Sequence, residues 1–114
     1  MKNGVTIELA PFAIANGVNS DELLVASERL EREFLEYADG YIGRVLVQED
    51  SGTWADIVFW QSSECASKAM EAAASDETCR AYFECMAAAD HGDPAHGVTL
   101  YRSVKNYGTV LSRD

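Results

Sequence analysis

The sequence predicts a single α+β domain with the element order strand, helix, strand, strand, helix, strand, and three observations support this prediction. The chain has 114 residues, of which 47% are hydrophobic, and it carries no long linker rich in Pro, Gly or Ser. Apolar residues alternate in four segments and recur every three or four residues between them. The resulting order is the ferredoxin-like βαββαβ arrangement, in which two helices cover one face of a four-stranded antiparallel sheet. We expect one domain over residues 1–114, with its core at about 3–106 and a tail at 107–114.

The first strand and the first helix follow from two different periodicities. Val5, Ile7 and Leu9 alternate with more polar residues, which predicts a half-buried strand that Pro11 and the Asn16-Gly17 pair end. Asn19 or Ser20 can then cap a helix with acidic residues in its first turn. Its predicted buried stripe is Leu23, Ala26, Leu30, Phe34 and Tyr37, and Asp39-Gly40 ends the helix.

The centre of the chain predicts a β-hairpin. Its first strand is Tyr41–Gln48, its second strand is Thr53–Gln61, and the residues between them, 49–52, have turn-forming composition. The second strand is apolar on both sides: one side carries Trp54, Asp56, Val58 and Trp60, and the other carries Ala55, Ile57 and Phe59. We therefore expect both of its faces to be buried.

The second half of the chain predicts a helix, a further helical segment and a last strand. Ser62 or Ser63 can cap an alanine-rich helix whose stripe of mostly small residues suits close packing on a sheet, and Ser75 restarts a helix. The apolar side of that segment is Cys79, Tyr82, Phe83 and Met86. A loop at 90–97 precedes a last strand over 98–104.

Asp56 is the first candidate functional residue, because an acid between two tryptophans is costly to desolvate without a partner. A three-residue turn of Asp50-Ser51-Gly52, with Gly52 left-handed, places Arg44 beside Asp56, whereas a two-residue Ser51-Gly52 turn moves Arg44 to the other face. In the first register the predicted small-ligand site consists of Asp56 and Arg44 as catalytic residues and Trp54, Trp60, Tyr101 and Glu8 as substrate-binding residues. The alternative is that Asp56 is satisfied by Arg44 or a backbone amide and that the tryptophans belong to the core or a dimer interface.

The uncovered face of the sheet predicts a homodimer. Helices cover one face, so we expect the other to present Trp54, Trp60 and Tyr101, which is too apolar a patch to leave in water. A second copy of the chain, packed sheet against sheet around a two-fold axis, would cover it.

Composition argues against several other classes. A net charge of −10 disfavours binding to nucleic acid or an anionic membrane, and the first residues do not form a signal peptide, so we expect a cytoplasmic protein. Cys65, Cys79 and Cys85 lack zinc or disulfide spacing. His91 and His96 lie in a loop where glycine and proline separate the potential ligands. We expect no metal and no cofactor.

Four segments carry a resemblance to the dimeric α/β-barrel superfamily, and within it to small members of the antibiotic-biosynthesis-monooxygenase-like (ABM) branch. They are Phe34 to Gly43 leading into Arg44-Val45-Leu46, the strand Trp54-x-Asp56-x-x-x-Trp60, the helix start Ser63-Glu64-x-Ala66-x-x-Ala69, and Ser75-x-x-x-Cys79-x-x-Phe83. The resemblance implies a dimeric α/β barrel. It also implies that the chain is similar to cofactor-independent monooxygenases of aromatic polyketides, haem-degrading enzymes and proteins without known chemistry.

The resemblance carries no catalytic motif over to this chain. Haem-degrading relatives use a helical histidine on iron, and His91 and His96 both fall outside the predicted helices. Two functions stay open: an oxygenase-like or isomerase-like enzyme in which Asp56 orients or deprotonates a small aromatic or polyketide-type substrate, and a non-catalytic homodimer that binds a small molecule or is purely structural.

Overall fold

The computed structural model describes residues 4–87 and 97–108 and shows an α+β domain. Four strands, β1 to β4, form one antiparallel sheet in the order β2-β3-β1-β4, which is the predicted ferredoxin-like topology. None of the helices in the described ranges is long and apolar enough to cross a membrane. In chain order the elements are β1 (Thr6–Phe12), α1 (Ser20–Glu33), a 3₁₀ turn (Leu35–Tyr37), β2 (Tyr41–Gln48), β3 (Trp54–Trp60), α2 (Ser63–Ala73), α3 (Glu77–Phe83) and β4 (Thr99–Arg102).

The hairpin between β2 and β3 has the first of the two predicted registers. Gly52 has a φ of 105°, its N–H donates to the carbonyl of Glu49 at 2.8 Å, and the N–H of Glu49 donates to the carbonyl of Thr53 at 2.8 Å. Gln48 therefore lies opposite Trp54, and the even-numbered residues of the two strands from Arg44 onward share one face. This register brings Arg44 next to Asp56, as predicted.

The tryptophan-bearing face of β3 packs against the helices, so the prediction that it forms the open face of the sheet is wrong. Trp60 is 2% exposed and Asp56 is 5% exposed within the single chain, and Trp54 packs against the same core. Both faces of β3 are apolar, so alternation could not tell which one the helices cover. The hydrogen-bond partners of Arg44 and Asp56 on the even-numbered face are Ser27 and Tyr82, which lie on the helices. These partners favour packing of the even-numbered face against the helices.

The opposite face of the sheet carries a second set of apolar side chains, which we call the open face. It consists of Ile7, Leu9, Val45, Val47, Ala55, Ile57, Phe59 and Tyr101, and all of them are half-buried or exposed. Tyr101 pairs with Ile7 and is 52% exposed, so it is the one predicted aromatic residue that does lie on this face.

The helix boundaries follow local capping chemistry. Asn19 caps α1 in a capping box with Glu22, while Ser62 caps α2 and Asp76 caps α3. The helical geometry of α1 ends at Phe34, and the 3₁₀ turn that follows buries Leu35. Tyr37 is consequently 80% exposed, which corrects the prediction that it belongs to the buried stripe of the first helix.

The core lies between the even-numbered face of the sheet and the helices. The stripe of α2 supplies Ala66, Ala69 and Ala73, whose small side chains let this helix sit close to the sheet. Cys79 and Tyr82 of α3 complete the layer. All three cysteines are free.

Candidate functional site

A cavity of about 220 Å³ lies between the helix-facing side of the sheet and the helices. Its polar wall is made by Glu8 of β1, Arg44 of β2, Asp56 of β3 and Tyr82 of α3. The rest of the lining is mostly apolar and includes Phe12, Leu30, Phe34, Leu35, Val58, Trp60, Met70, Cys79, Phe83 and Met86. An apolar cavity with a few convergent polar groups is the usual form of a small-molecule site.

Arg44 and Asp56 form a buried ion pair at this polar wall. The Nη1 of Arg44 lies 3.1 Å from Oδ1 of Asp56, and both side chains are 8% exposed. The Nη2 of Arg44 donates to the backbone carbonyl and to the hydroxyl of Ser27, each at 2.8 Å. The guanidinium is therefore bound by α1 through Ser27 and by the sheet through Asp56.

Tyr82 completes the environment of Asp56. Its hydroxyl donates to Oδ2 of Asp56 at 2.5 Å, and the Arg44 guanidinium carbon lies 5.7 Å from the centre of its ring. Each carboxylate oxygen of Asp56 thus has a protein partner. The sequence analysis placed Tyr82 among the apolar residues of its helix. The signal that could have identified it is that a buried tyrosine hydroxyl needs a hydrogen-bond partner and that the buried Asp56 needs a donor.

A second pair extends the network toward the surface. The hydroxyl of Tyr41 donates to Oε1 of Glu31 at 2.6 Å, and Nε of Arg44 lies 3.5 Å from the same oxygen. Glu31 is partly exposed, so this end of the network reaches solvent. The sequence analysis assigned neither residue to the site, because Glu31 lies among the charged residues of α1 and nothing local marks it as a partner of Arg44.

Glu8 is the carboxylate with the fewest protein partners. Its Oε1 accepts from the indole Nε1 of Trp60 at 2.9 Å. Within residues 4–87 and 97–108, no group donates to its Oε2, and the side chain lines the cavity. Glu8 can therefore act on a molecule in the cavity through an oxygen that the described fold leaves without a partner.

Burial shifts the pKa of both carboxyl groups upward. It raises the pKa of Glu8 above the ordinary value, an effect that the Trp60 hydrogen bond opposes and the nearby charge of Asp56 reinforces. Burial likewise raises the pKa of Asp56, although the charge of Arg44 and the hydrogen bond from Tyr82 pull in the opposite direction. Burial and the adjacent Asp56 also raise the pKa of the Tyr82 phenol, so this hydroxyl stays protonated and donates.

The structure brings together four of the six predicted site residues. Glu8, Arg44, Asp56 and Trp60 all line the cavity, whereas Trp54 packs against the core without lining it. Tyr101 lies on the open face, on the other side of the sheet from the cavity. The loop containing His91 and His96 falls outside the described residues.

The ferredoxin-like fold of the described residues is shared by solved structures of other small proteins. One solved structure with this fold is a protein from Bordetella bronchiseptica proposed to be an antibiotic biosynthesis monooxygenase. It aligns with a TM-score of 0.68 and 16% identity, over 91% of this chain and 99% of its own.

Two further structures share the fold. SnoaB, a cofactor-independent oxygenase from Streptomyces nogalater, aligns with a TM-score of 0.63 and 13% identity over 97% of this chain and 99% of its own. A conserved protein from Methanosarcina mazei Go1 aligns with a TM-score of 0.62 and 14% identity over 89% of this chain and 94% of its own. No protein-family model and no curated protein matches the chain.

Proposed function

We propose that this protein is a cofactor-independent, monooxygenase-like enzyme that acts on a small aromatic molecule in the cavity under the helices. The observation that carries the proposal is the position of Glu8, a largely buried carboxylate that lines an apolar cavity and has one oxygen without a donor among the described groups. The fold shared with SnoaB, itself a cofactor-independent oxygenase, supports the same reaction class.

The chemistry begins with proton removal. A base takes a proton from an activated CH₂ group of the substrate, and the electron-rich anion then reduces molecular oxygen. For an activated CH₂ group, the carbon becomes a carbonyl and the second oxygen atom leaves as water, so the two hydrogens and two oxygen atoms are accounted for. Glu8 is suited to act as this base because its pKa is raised, which makes it a stronger base than an exposed glutamate.

Arg44 and Asp56 hold the polar wall in this proposal. One oxygen of Asp56 accepts from Arg44 and the other accepts from Tyr82, so protein donors engage Asp56 more fully than they engage Glu8. We assign these two residues a positioning role, keeping Tyr82 and the guanidinium fixed around the cavity. Removing one member of a buried ion pair typically costs about 3–5 kcal/mol of stability, which makes Asp56 a poor residue for testing catalysis.

The test is oxygen consumption with a panel of small aromatic compounds that carry an activated CH₂ group, with product masses recorded in ¹⁸O₂. For any compound turned over, Glu8→Gln should lower kcat by about 100-fold or more, with a smaller effect on KM. Glu36→Gln, which makes the same charge change on the exposed 3₁₀ turn, is the matched control. The proposal fails if no compound is oxidised, or if Glu8→Gln turns over at the wild-type rate.

We further propose that the chain forms a homodimer through the open face. Its apolar side chains are half-buried or exposed in the single chain, and contiguous apolar surface of this kind marks association sites. This retains the predicted partner, a second copy of the chain, but replaces the tryptophans by a different set of residues. The cavity lies on the other side of the sheet and is lined within one chain.

A further inference from the structure

We infer that the cavity selects aromatic ligands that donate a hydrogen bond to Glu8 and excludes ligands that carry a negative charge. This inference rests on the proposed function only in taking the cavity to be the ligand site. It names the property by which the protein would distinguish substrates of similar size and shape.

The charges around the polar wall oppose an anion. Three carboxyl groups, those of Glu8, Glu31 and Asp56, surround one guanidinium, that of Arg44. Each nitrogen of that guanidinium already faces a protein acceptor: Nη1 faces Asp56, Nη2 faces Ser27, and Nε faces Glu31. Among the described residues, the one guanidinium in the cavity lining is therefore engaged on all three nitrogens before any ligand arrives.

The hydrogen-bonding groups of the wall favour a donor. The hydroxyl of Tyr82 is directed to Asp56 and the indole N–H of Trp60 is directed to Glu8, so both of these donors are engaged within the protein. Among the described residues, Oε2 of Glu8 is the acceptor of the wall that has no protein donor. A ligand that presents an OH or NH group satisfies this oxygen, whereas an ether, a hydrocarbon or a carboxylate leaves it unpaired or repels it.

The volume of the cavity limits the ligand to one or two rings. Sites for drug-sized ligands typically measure about 300–1,000 Å³, and this cavity measures about 220 Å³. Phe12, Phe34, Met70 and Phe83 contribute apolar walls, which suit the face and edges of a small aromatic ring.

The experiment compares 4-methylphenol, 4-methylanisole and 4-methylbenzoate at neutral pH, three probes of similar size that present a donor, an ether and an anion. Binding is followed by NMR of the ¹⁵N-labelled protein through the indole signal of Trp60, which the Trp54→Phe variant assigns. Trp60 donates to Glu8, so its indole proton reports directly on what binds that carboxylate.

We expect 4-methylphenol to shift the Trp60 indole signal in a saturable manner and 4-methylanisole to bind about tenfold more weakly or worse. We expect 4-methylbenzoate not to bind. In Glu8→Gln the preference for the phenol over the ether should shrink and the benzoate should begin to bind, while Glu36→Gln should behave as the wild type. The inference is overturned if the benzoate binds the wild-type protein as well as the phenol does, if Glu8→Gln keeps the wild-type preference, or if no probe binds up to its solubility limit.

The two proposals fail in different ways. Phenol-selective binding without oxygen consumption by any compound would overturn the monooxygenase proposal and leave the ligand preference standing. Oxidation of anionic aromatic substrates would overturn the ligand preference and leave the monooxygenase proposal standing.

Discussion

Glu8 and Asp56 are both carboxylates in one cavity wall, and the number of partners each one has separates their roles. Asp56 receives Arg44 on one oxygen and Tyr82 on the other, whereas the described partner of Glu8 is Trp60 alone. A carboxylate with both oxygens engaged holds its neighbours in place, and one with an open oxygen can bind or deprotonate a ligand. The difference makes Glu8 the residue whose titration matters for function.

We expect the free energy of unfolding to depend on pH through the titration of Glu8. Burial raises the pKa of Glu8 above its ordinary 4.5, so the folded protein holds this proton more tightly than the unfolded chain does. Its contribution to stability is therefore fully present below pH 4.5 and is lost as the pH rises through the raised pKa.

Urea denaturation of Glu8→Gln and the wild type across a pH series tests this. We expect equal unfolding free energies in acid and a growing advantage of Glu8→Gln toward neutral pH. Asp56 shifts in the same direction and stays in both proteins, so the difference curve reports Glu8 together with its effect on Asp56. A flat difference, or one that also appears in Glu36→Gln, would contradict the prediction.

At the residue scale, the sequence left two hairpin registers open for Arg44 and did not choose between them. The observed register is the one with Gly52 in the left-handed conformation, and it places Arg44 beside Asp56. Ser27 and Tyr82 could not be predicted as partners, because they lie on helices whose rotation against the sheet depends on packing of the whole core. A polar residue on an apolar helical face marks a need for a partner but does not identify it.

At the scale of the elements, the approximate helix starts and the hairpin could be predicted from the sequence because their chemistry is local. Asn19, one of two predicted caps, is the cap of α1, and Tyr41–Gln48 is β2 as predicted. The end of α1 could not be predicted, since the apolar spacing continues through Tyr37 although the helix ends at Glu33. The side of β3 that meets the helices could not be predicted either, because both of its sides are apolar.

At this scale, Gly40 should tolerate substitution less well than Gly17 does. It has a φ of 77°, its carbonyl accepts from Gln61 at 2.8 Å, and an added Cβ would collide with the Cβ and Sγ of Cys65 on α2. Gly17 has a φ of 87° but nothing within 4 Å of an added Cβ, so it isolates the conformational cost.

We expect Gly17→Ala to lower the unfolding free energy by about 1–2 kcal/mol and Gly40→Ala to lower it by about 1–3 kcal/mol more. Chemical denaturation of the two variants beside the wild type measures both effects. Equal losses would show that α2 moves aside without cost and would remove Gly40 as a packing contact.

At the scale of the whole molecule, the structure separates two features that the sequence analysis placed on one face. The cavity lies between the sheet and the helices, and the open face lies on the far side of the sheet. Alternation in β3 predicts two apolar faces, but the assignment of tryptophans to the dimer failed because they fill the core of the single chain. The proposed association and the proposed ligand binding therefore use different residues of the same strands.

This separation predicts that the dimer can be broken without destroying the ligand site. Val45 is 49% exposed on the open face, so Val45→Glu places a charge in the proposed interface. The control is Val25→Glu, the same substitution at a valine that is 63% exposed on α1. Light scattering after size exclusion should give twice the chain mass of 12.5 kDa for the wild type and Val25→Glu, and the single mass for Val45→Glu.

The monomeric variant should still shift its Trp60 indole signal on binding 4-methylphenol, because all the residues that we assign to that contact belong to one chain. A wild-type protein that elutes as a monomer would show that the open face tolerates water and would overturn the homodimer. A folded Val45→Glu monomer that loses ligand binding would show instead that the partner shapes the cavity across the sheet.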